Sequence, residues 1–137
     1  MEMMKNWIET PNFKEREFVC RCAACQRVGR AFVSRRLVVM LQMARIIAKI
    51  PFVILSGCRC VAHNNAKGGR VNSSHIGFDR NNLTQGVDIR ARSDIERFII
   101  LNALLQAGFR RIGLNFAENF IHVDICPNRD QKVLWRY

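Results

Sequence analysis

Three residues of ligand type stand apart from the rest of the chain: His75 in Ser-Ser-His, Asp88 in Gln-Gly-Val-Asp-Ile, and His122 in Phe-Ile-His-Val-Asp-Ile. Zinc accepts nitrogen and oxygen donors, and a catalytic zinc keeps three protein ligands and leaves a fourth position open. A His, Asp, His set supplies that arrangement. A metal so held lowers the pKa of water and polarises a carbonyl. These residues therefore suggest a small zinc hydrolase.

The neighbouring residues extend the pattern. They are Ser56-Gly57-Cys58-Arg59-Cys60, Ala62-His63-Asn64, Gly68-Gly69, Asn72-Ser73-Ser74-His75, Gly86-Val87-Asp88-Ile89, Gly108-Phe109, Ile112-Gly113 and Phe120-Ile121-His122-Val123-Asp124. Together they resemble the zinc D-Ala-D-Ala carboxypeptidase and endolysin L-Ala-D-Glu-type metallopeptidase family, of hedgehog/DD-peptidase fold, over about residues 15 to 137. The resemblance implies His75, Asp88 and His122 as metal ligands and one catalytic Zn2+. It also implies Arg59 as a guanidinium facing the substrate, able to bind a terminal carboxylate or an oxyanion. Ser73 matches a serine near the substrate, and His63 and Asn64 match positions that order a loop. One interval departs from the family. Residues Phe78 to Thr84 lengthen the stretch between the first ligand and the second, so His75 and Asp88 lie thirteen positions apart. A surface loop absorbs such an insertion at little entropic cost.

Alternation along residues 120–125 places His122 and Asp124 on one strand face, opposite Ile121 and Val123. Asp124 is accordingly the first candidate for the carboxylate that takes a proton from attacking water and passes it to the leaving amine. Glu118 is the rival. The alternative role for Asp124 is to orient a ligand histidine.

The elements that must position these residues can be traced along the chain. Residues 1–15 read as a polar lead-in with a turn at Pro11-Asn12, and residues 16–137 as one peptidase-like domain. Residues 16–30 carry a cysteine cluster and few regular signals. Ser34 can cap a helix reaching about Ile50, with Leu37, Leu41, Ala44 and Ala48 on one face and Pro51 beyond. Residues 52–56 form a short apolar strand, and a short helix follows over Val61 to Ala66. Residues 70–85 read as loop, and Gly86 to Ala91 as a half-buried strand. Ser93-Asp-Ile-Glu96 has the form of a capping box opening a helix to Ala107, with Phe98, Leu101 and Leu105 expected in the core. Phe109 to Asn115 and Phe120 to Cys126 then pair as a hairpin. The fold class is α+β, a single domain with helices packed on a small, mainly antiparallel sheet.

Length and composition agree with this. A chain of 137 residues, 49% hydrophobic, is one globular domain that needs no disulfides. No apolar run is long enough for a membrane span, and the first residues lack the apolar stretch of a secretory signal. Synthesis in the cytoplasm is expected, with action on the wall after holin-type release or as part of a virion. The net charge of +11 is dispersed rather than gathered in a block. Dispersed charge is more often general surface than a sequence-reading face, and attraction to an anionic wall polymer fits it equally well. Of the six cysteines, Cys20, Cys22, Cys25 and Cys60 could hold a second, structural zinc, with plain buried thiols as the alternative.

The function expected is hydrolysis of amide bonds next to D-amino acids in peptidoglycan stem peptides, by a monomeric, phage-type wall-lytic enzyme. Two other classes stand beside it. One is a non-catalytic wall-binding or virion component that keeps the fold. The other is a basic zinc module that binds nucleic acid, and it leaves the family motifs unexplained.

Overall fold

The computed structural model describes residues 7–137. The described residues form four α-helices and a five-stranded, mainly antiparallel sheet, the α+β class expected. The helices are α1 (Ala23–Val28), α2 (Arg35–Ala48), α3 (Val61–Ala66) and α4 (Asp94–Gln106). The strands are β1 (Ile54–Ser56), β2 (Gly86–Arg90), β3 (Arg111–Asn115), β4 (Phe120–Asp124) and β5 (Val133–Arg136). They lie in the order β1-β2-β4-β3-β5, and only the β3–β5 pair is parallel.

Helix α2 begins where a Ser cap predicts: the Ser34 hydroxyl accepts from the Leu37 N–H at 3.4 Å. It stops two residues earlier than periodicity suggests, because Lys49 takes a left-handed conformation at φ 60°. Leu37, Leu41 and Ala44 are buried and Ala48 is half-buried. Gln42, polar but buried in this helix, exchanges two hydrogen bonds with Asn12, at 2.9 and 2.7 Å. That pairing satisfies the amide, as burial of a polar group requires.

Helix α4 starts at the expected cap, with the Ser93 hydroxyl accepting from the Glu96 N–H at 3.1 Å. Its inward face differs from the row expected. Phe98 and Leu105 are exposed, at 73% and 57%, and the face that meets α2 and the sheet is Ile100, Ala103 and Leu104. Nearly every position of α4 from Ile99 to Leu105 is apolar, so several stripes of helical spacing compete, and packing selects among them.

Val87 and Ile89 of β2, Ile112 of β3, and Ile121 and Val123 of β4 turn into one core with these helices. Strand β2 was expected half-buried; residues 86–89 are buried on both sides, because the second face walls a cleft. Two further features lie outside the sequence expectation. Trp7 and Phe13 are buried against Phe18, at ring-centroid distances of 5.1 and 5.7 Å from it, so residues 7–15 pack with the domain rather than precede it. Strand β5 adds a fifth strand at the C-terminal end. Among the described residues, no helix is long and apolar enough to cross a membrane.

Candidate active site

The sheet face away from the core carries a row of paired positions: Ser56 beside Asp88, Asp88 beside His122, His122 beside Gly113, and Gly113 beside Trp135. The next row pairs Gly86 with Asp124. Strand pairing thus sets Asp88 and His122 side by side although 34 residues separate them. His75 reaches the same point from a loop. Its backbone carbonyl accepts from the Arg59 N–H at 2.7 Å and from the Thr84 hydroxyl at 2.8 Å.

The insertion between His75 and Asp88 closes on itself. The Asp79 carboxylate accepts from Asn81 N–H, Asn82 N–H and the Asn82 amide at 2.8 to 2.9 Å, and Phe78 N–H donates to Asn82 C=O at 3.0 Å. The chain then returns through Thr84, whose N–H donates to Phe32 C=O at 2.7 Å. Gln85 and Gly86 both donate to the Ser74 carbonyl, at 2.8 and 3.2 Å. The added residues project as a turn, and both ends remain fixed beside the ligand loop. Gly86 is needed there, since a Cβ would lie 2.4 Å from the Ser74 hydroxyl oxygen and 2.9 Å from Asp124 Cβ.

His75, Asp88 and His122 are all buried, and each offers a ligand atom within 4.8 Å of the other two. His75 Nε2 is 3.3 Å from Asp88 Oδ1, and His122 Nδ1 is 2.9 Å from the same oxygen. The outer nitrogens are also committed. His75 Nδ1 lies 2.9 Å from the Gly57 carbonyl, an acceptor only, so it carries a proton, and Nε2, which faces Asp88, is the nitrogen that would lose its proton to bind a metal. His122 Nε2 lies 2.8 Å from Asp124 Oδ2, which likewise leaves Nδ1 as the donor atom. A histidine that binds a metal through one nitrogen while donating from the other to a carbonyl or carboxylate is the arrangement metal sites use. The donor set fits a divalent cation such as zinc.

Asp124 is 1% exposed and fully engaged. Its Oδ1 accepts from Arg111 Nε at 2.7 Å and Cys126 N–H at 3.1 Å, while Oδ2 faces His122. Burial would raise its pKa, but the His122 hydrogen bond and charge, the Cys126 N–H and the Arg111 guanidinium outweigh that and hold it below the ordinary range. Burial likewise opposes ionisation of Asp88, and hydrogen bonds from both histidines reverse it, leaving Asp88 strongly acidic. For His122, burial favours the neutral ring, yet the carboxylates of Asp124 and Asp88 raise its pKa overall. With both oxygens held, Asp124 is placed to orient His122. Proton shuttling, its first expected role, would require one of these bonds to open. Glu118 sits exposed on the β3–β4 turn and does not line the cleft.

The open cleft above the site has a volume of about 530 Å³. Arg59 and Ser73 line it, as do Arg70, Arg129, Phe120, Trp135 and Tyr137. The Ser73 hydroxyl accepts from the His75 N–H at 3.2 Å, which ties it to the ligand loop. Asn64, wholly buried, donates to the Arg70 carbonyl at 2.8 Å and so orders the glycine loop, whereas neither it nor His63 joins the metal-ligand group. The sequence around Trp135 does not read as a strand, because Val133–Arg136 takes strand form through its parallel pairing with β3. The Trp135 ring lies 5.8 Å from that of His122 and beneath the Arg111 guanidinium at 5.2 Å. Gly113 allows this, since a Cβ there would come within 2.5 Å of the indole. The Ile112-Gly113 pair in the sequence was the available signal.

The sequence profile of the Peptidase M15 family matches residues 11–124, well over half of the chain and inclusive of all three ligand-type residues. The chain belongs to the peptidase M15 family. No curated protein gives a significant match. The M15 assignment makes this a peptidase domain.

Proposed function

We propose that this M15 peptidase is a zinc enzyme that hydrolyses an amide next to a D-amino acid in peptidoglycan stem peptides. The observation that carries the reading is the convergence of His75 Nε2, Asp88 Oδ1 and His122 Nδ1 on one point, with both histidines fixed from behind by Gly57 C=O and Asp124. Bound by these three atoms, zinc would supply a Lewis acid for the scissile carbonyl and acidify water at the site.

The chain's own residues supply the rest. Arg59 presents a guanidinium to the cleft, where it can bind a substrate carboxylate or an oxyanion. Arg70 and Arg129 extend the positive wall, which suits the carboxylate-bearing stem peptides of peptidoglycan. Ser73, held to the ligand loop, lies where it can hydrogen-bond the peptide backbone. Phe120, Trp135 and Tyr137 provide flat apolar surface beside the metal ligands. Asp124 holds His122 in the ligating tautomer, and His122, the Cys126 N–H and Arg111 together favour the ionised Asp124. The proposal includes a phage-type wall-lytic role, supported by a net charge of +11 that would draw the protein to anionic wall polymers.

The test is purified protein on defined muropeptides, with products read by mass spectrometry. Amide cleavage that stops with chelator and returns with zinc is expected. Zinc-replete protein that cleaves no muropeptide, or cleaves equally well with chelator, would overturn the reading.

A further inference from the structure

Away from the cleft, four of the six cysteines gather where α1, the loop after β1 and α3 meet. Cys20, Cys22, Cys25 and Cys60 each offer a sulfur within 4.8 Å of the other three. The Cys20–Cys60 and Cys22–Cys60 Sγ separations are 3.8 and 3.9 Å. None of the four is in a disulfide. A tetrahedral zinc with Zn–S bonds of about 2.3 Å places its sulfurs about 3.8 Å apart along each edge. We infer that Cys20, Cys22, Cys25 and Cys60 form a second, structural zinc site, closed to water, independent of the His75, Asp88, His122 centre.

The backbone is arranged for thiolates. Cys60 N–H points at Cys20 Sγ and His63 N–H at Cys60 Sγ, both at 3.4 Å. Cys22 and Cys60 stand at the N-cap positions of α1 and α3, and it is the Cys60 sulfur that accepts the cap hydrogen bond. Cys22 and Cys25 have the Cys-x-x-Cys spacing of a zinc knuckle, while Cys20 and Cys60 complete the set from either side. Four sulfurs at these distances surround one ion and leave no room for an iron–sulfur cluster. The other two thiols stand apart: Cys58 Sγ donates to the Gly77 carbonyl at 2.9 Å, and Cys126 lies beside Asp124 at the end of β4.

The site answers a packing question. Helix α1 has six residues and buries none of them, so apolar burial does little to fix residues 22–29. A metal bound by this segment and by Cys60 would cross-link positions 38 residues apart, and its binding energy would be folding energy. Cys60 follows Arg59, whose N–H holds the His75 carbonyl. The knot therefore anchors the loop that supports the ligand His75 and presents Arg59. Loading releases the thiol protons of the four cysteines as Zn2+ binds, with no change of oxidation state.

The test uses the full chain purified under reducing conditions. Metal content by mass spectrometry should be two zinc ions per wild-type chain and one in the H75A/H122A variant. Cobalt(II) loaded into that variant should give near-ultraviolet thiolate-to-cobalt charge transfer and the strong visible bands of a tetrahedral site. Alkylation of Cys20, Cys22, Cys25 and Cys60 should require chelator. C22S and C25S should each lose one zinc, and C126S none. Because the cysteine variants can fail to fold, the cobalt spectrum of H75A/H122A decides the matter. Absence of the thiolate band, alkylation of the four thiols without chelator, or their recovery as disulfides from reduced protein would overturn the inference. Should the catalytic centre fail to bind zinc, the wild type would hold one ion and still show the cobalt–thiolate spectrum, so the two failures are distinct.

Discussion

The Asp124 carboxylate lies 2.8 Å from His122 Nε2 and 2.7 Å from Arg111 Nε, linking a candidate metal ligand to a buried cation through one side chain. Neighbouring antiparallel strands create this link: alternation on β4 puts His122 and Asp124 on one face, and β3 brings Arg111 to the same side. An orienting carboxylate behind a ligand histidine fixes its tautomer and raises its basicity, and its loss typically weakens metal binding by about 10–100-fold.

Asp124→Asn should therefore weaken zinc binding at the His site by about 10–100-fold, measured by competition with a chromophoric chelator. Asp124→Ala should also lower thermal stability, because it leaves the buried Arg111 guanidinium without its carboxylate, a loss of about 3–5 kcal/mol for a buried pair. Unchanged zinc affinity in Asp124→Asn, with turnover reduced by about 10²–10⁴-fold, would instead make Asp124 the proton acceptor. Glu118→Gln, on the exposed turn, should leave both quantities near wild type.

Gly113→Ala should displace Trp135. An added methyl would sit 2.5 Å from the indole, which closes one side of the cleft and stacks under Arg111. Overpacking of this kind costs about 1–3 kcal/mol. A lower melting temperature and altered tryptophan fluorescence are expected, and a variant matching wild type in both would show that β5 does not pack as described.

What sequence could and could not reveal follows from range. Helix caps at Ser34 and Ser93, the α3 boundaries at Val61 and Ala66, and the hairpin of β3 and β4 are set by residues a few positions apart, and these were legible. So was the face shared by His122 and Asp124, because strand period is local. Three features were not. Strand β5 exists only because β3 offers a parallel edge, the inward stripe of α4 depends on what α2 presents, and Trp7 finds its place only against Phe18. At the site, residue types point to the candidate metal group, while the place of Arg111 against Asp124 depends on the pairing of β3 with β4, which no local pattern announces.

Zinc-free protein should become less stable as pH rises above neutrality. Burial disfavours the charged His122 ring, but Asp124 and Asp88 reverse this and raise its pKa above the unfolded value of about 6.5. Its contribution to stability is then complete below about pH 6.5 and is lost as pH rises through the raised folded value. Asp88 and Asp124, with lowered pKa values, contribute above about pH 4 and lose that contribution as acid protonates them. Chelated protein should be most stable between these limits. His122→Gln should remove the alkaline loss, isolating it from the change in net charge. Zinc should reverse the trend, since it needs unprotonated His122 Nδ1. Chelated wild type that keeps its full melting temperature from pH 6 to pH 9 would contradict the histidine–carboxylate coupling.

The charge of +11 predicts a difference between substrates. Attraction of a dispersed positive surface to an anionic wall is long-range, and salt screens it over a Debye length of about 10 Å at 0.1 M. Contacts inside the cleft, such as Arg59 with a substrate carboxylate, are short and partly shielded from solvent, so they respond less. Cleavage of intact walls should thus fall steeply between low and physiological salt, while cleavage of a small soluble muropeptide should change little. Reversing two exposed charges that do not line the cleft, as in Arg36→Glu with Arg92→Glu, should slow wall digestion at low salt and spare the soluble substrate. Equal salt sensitivity on both substrates would place the charge effect in the cleft itself, with Arg59, Arg70 and Arg129, rather than on the outer surface.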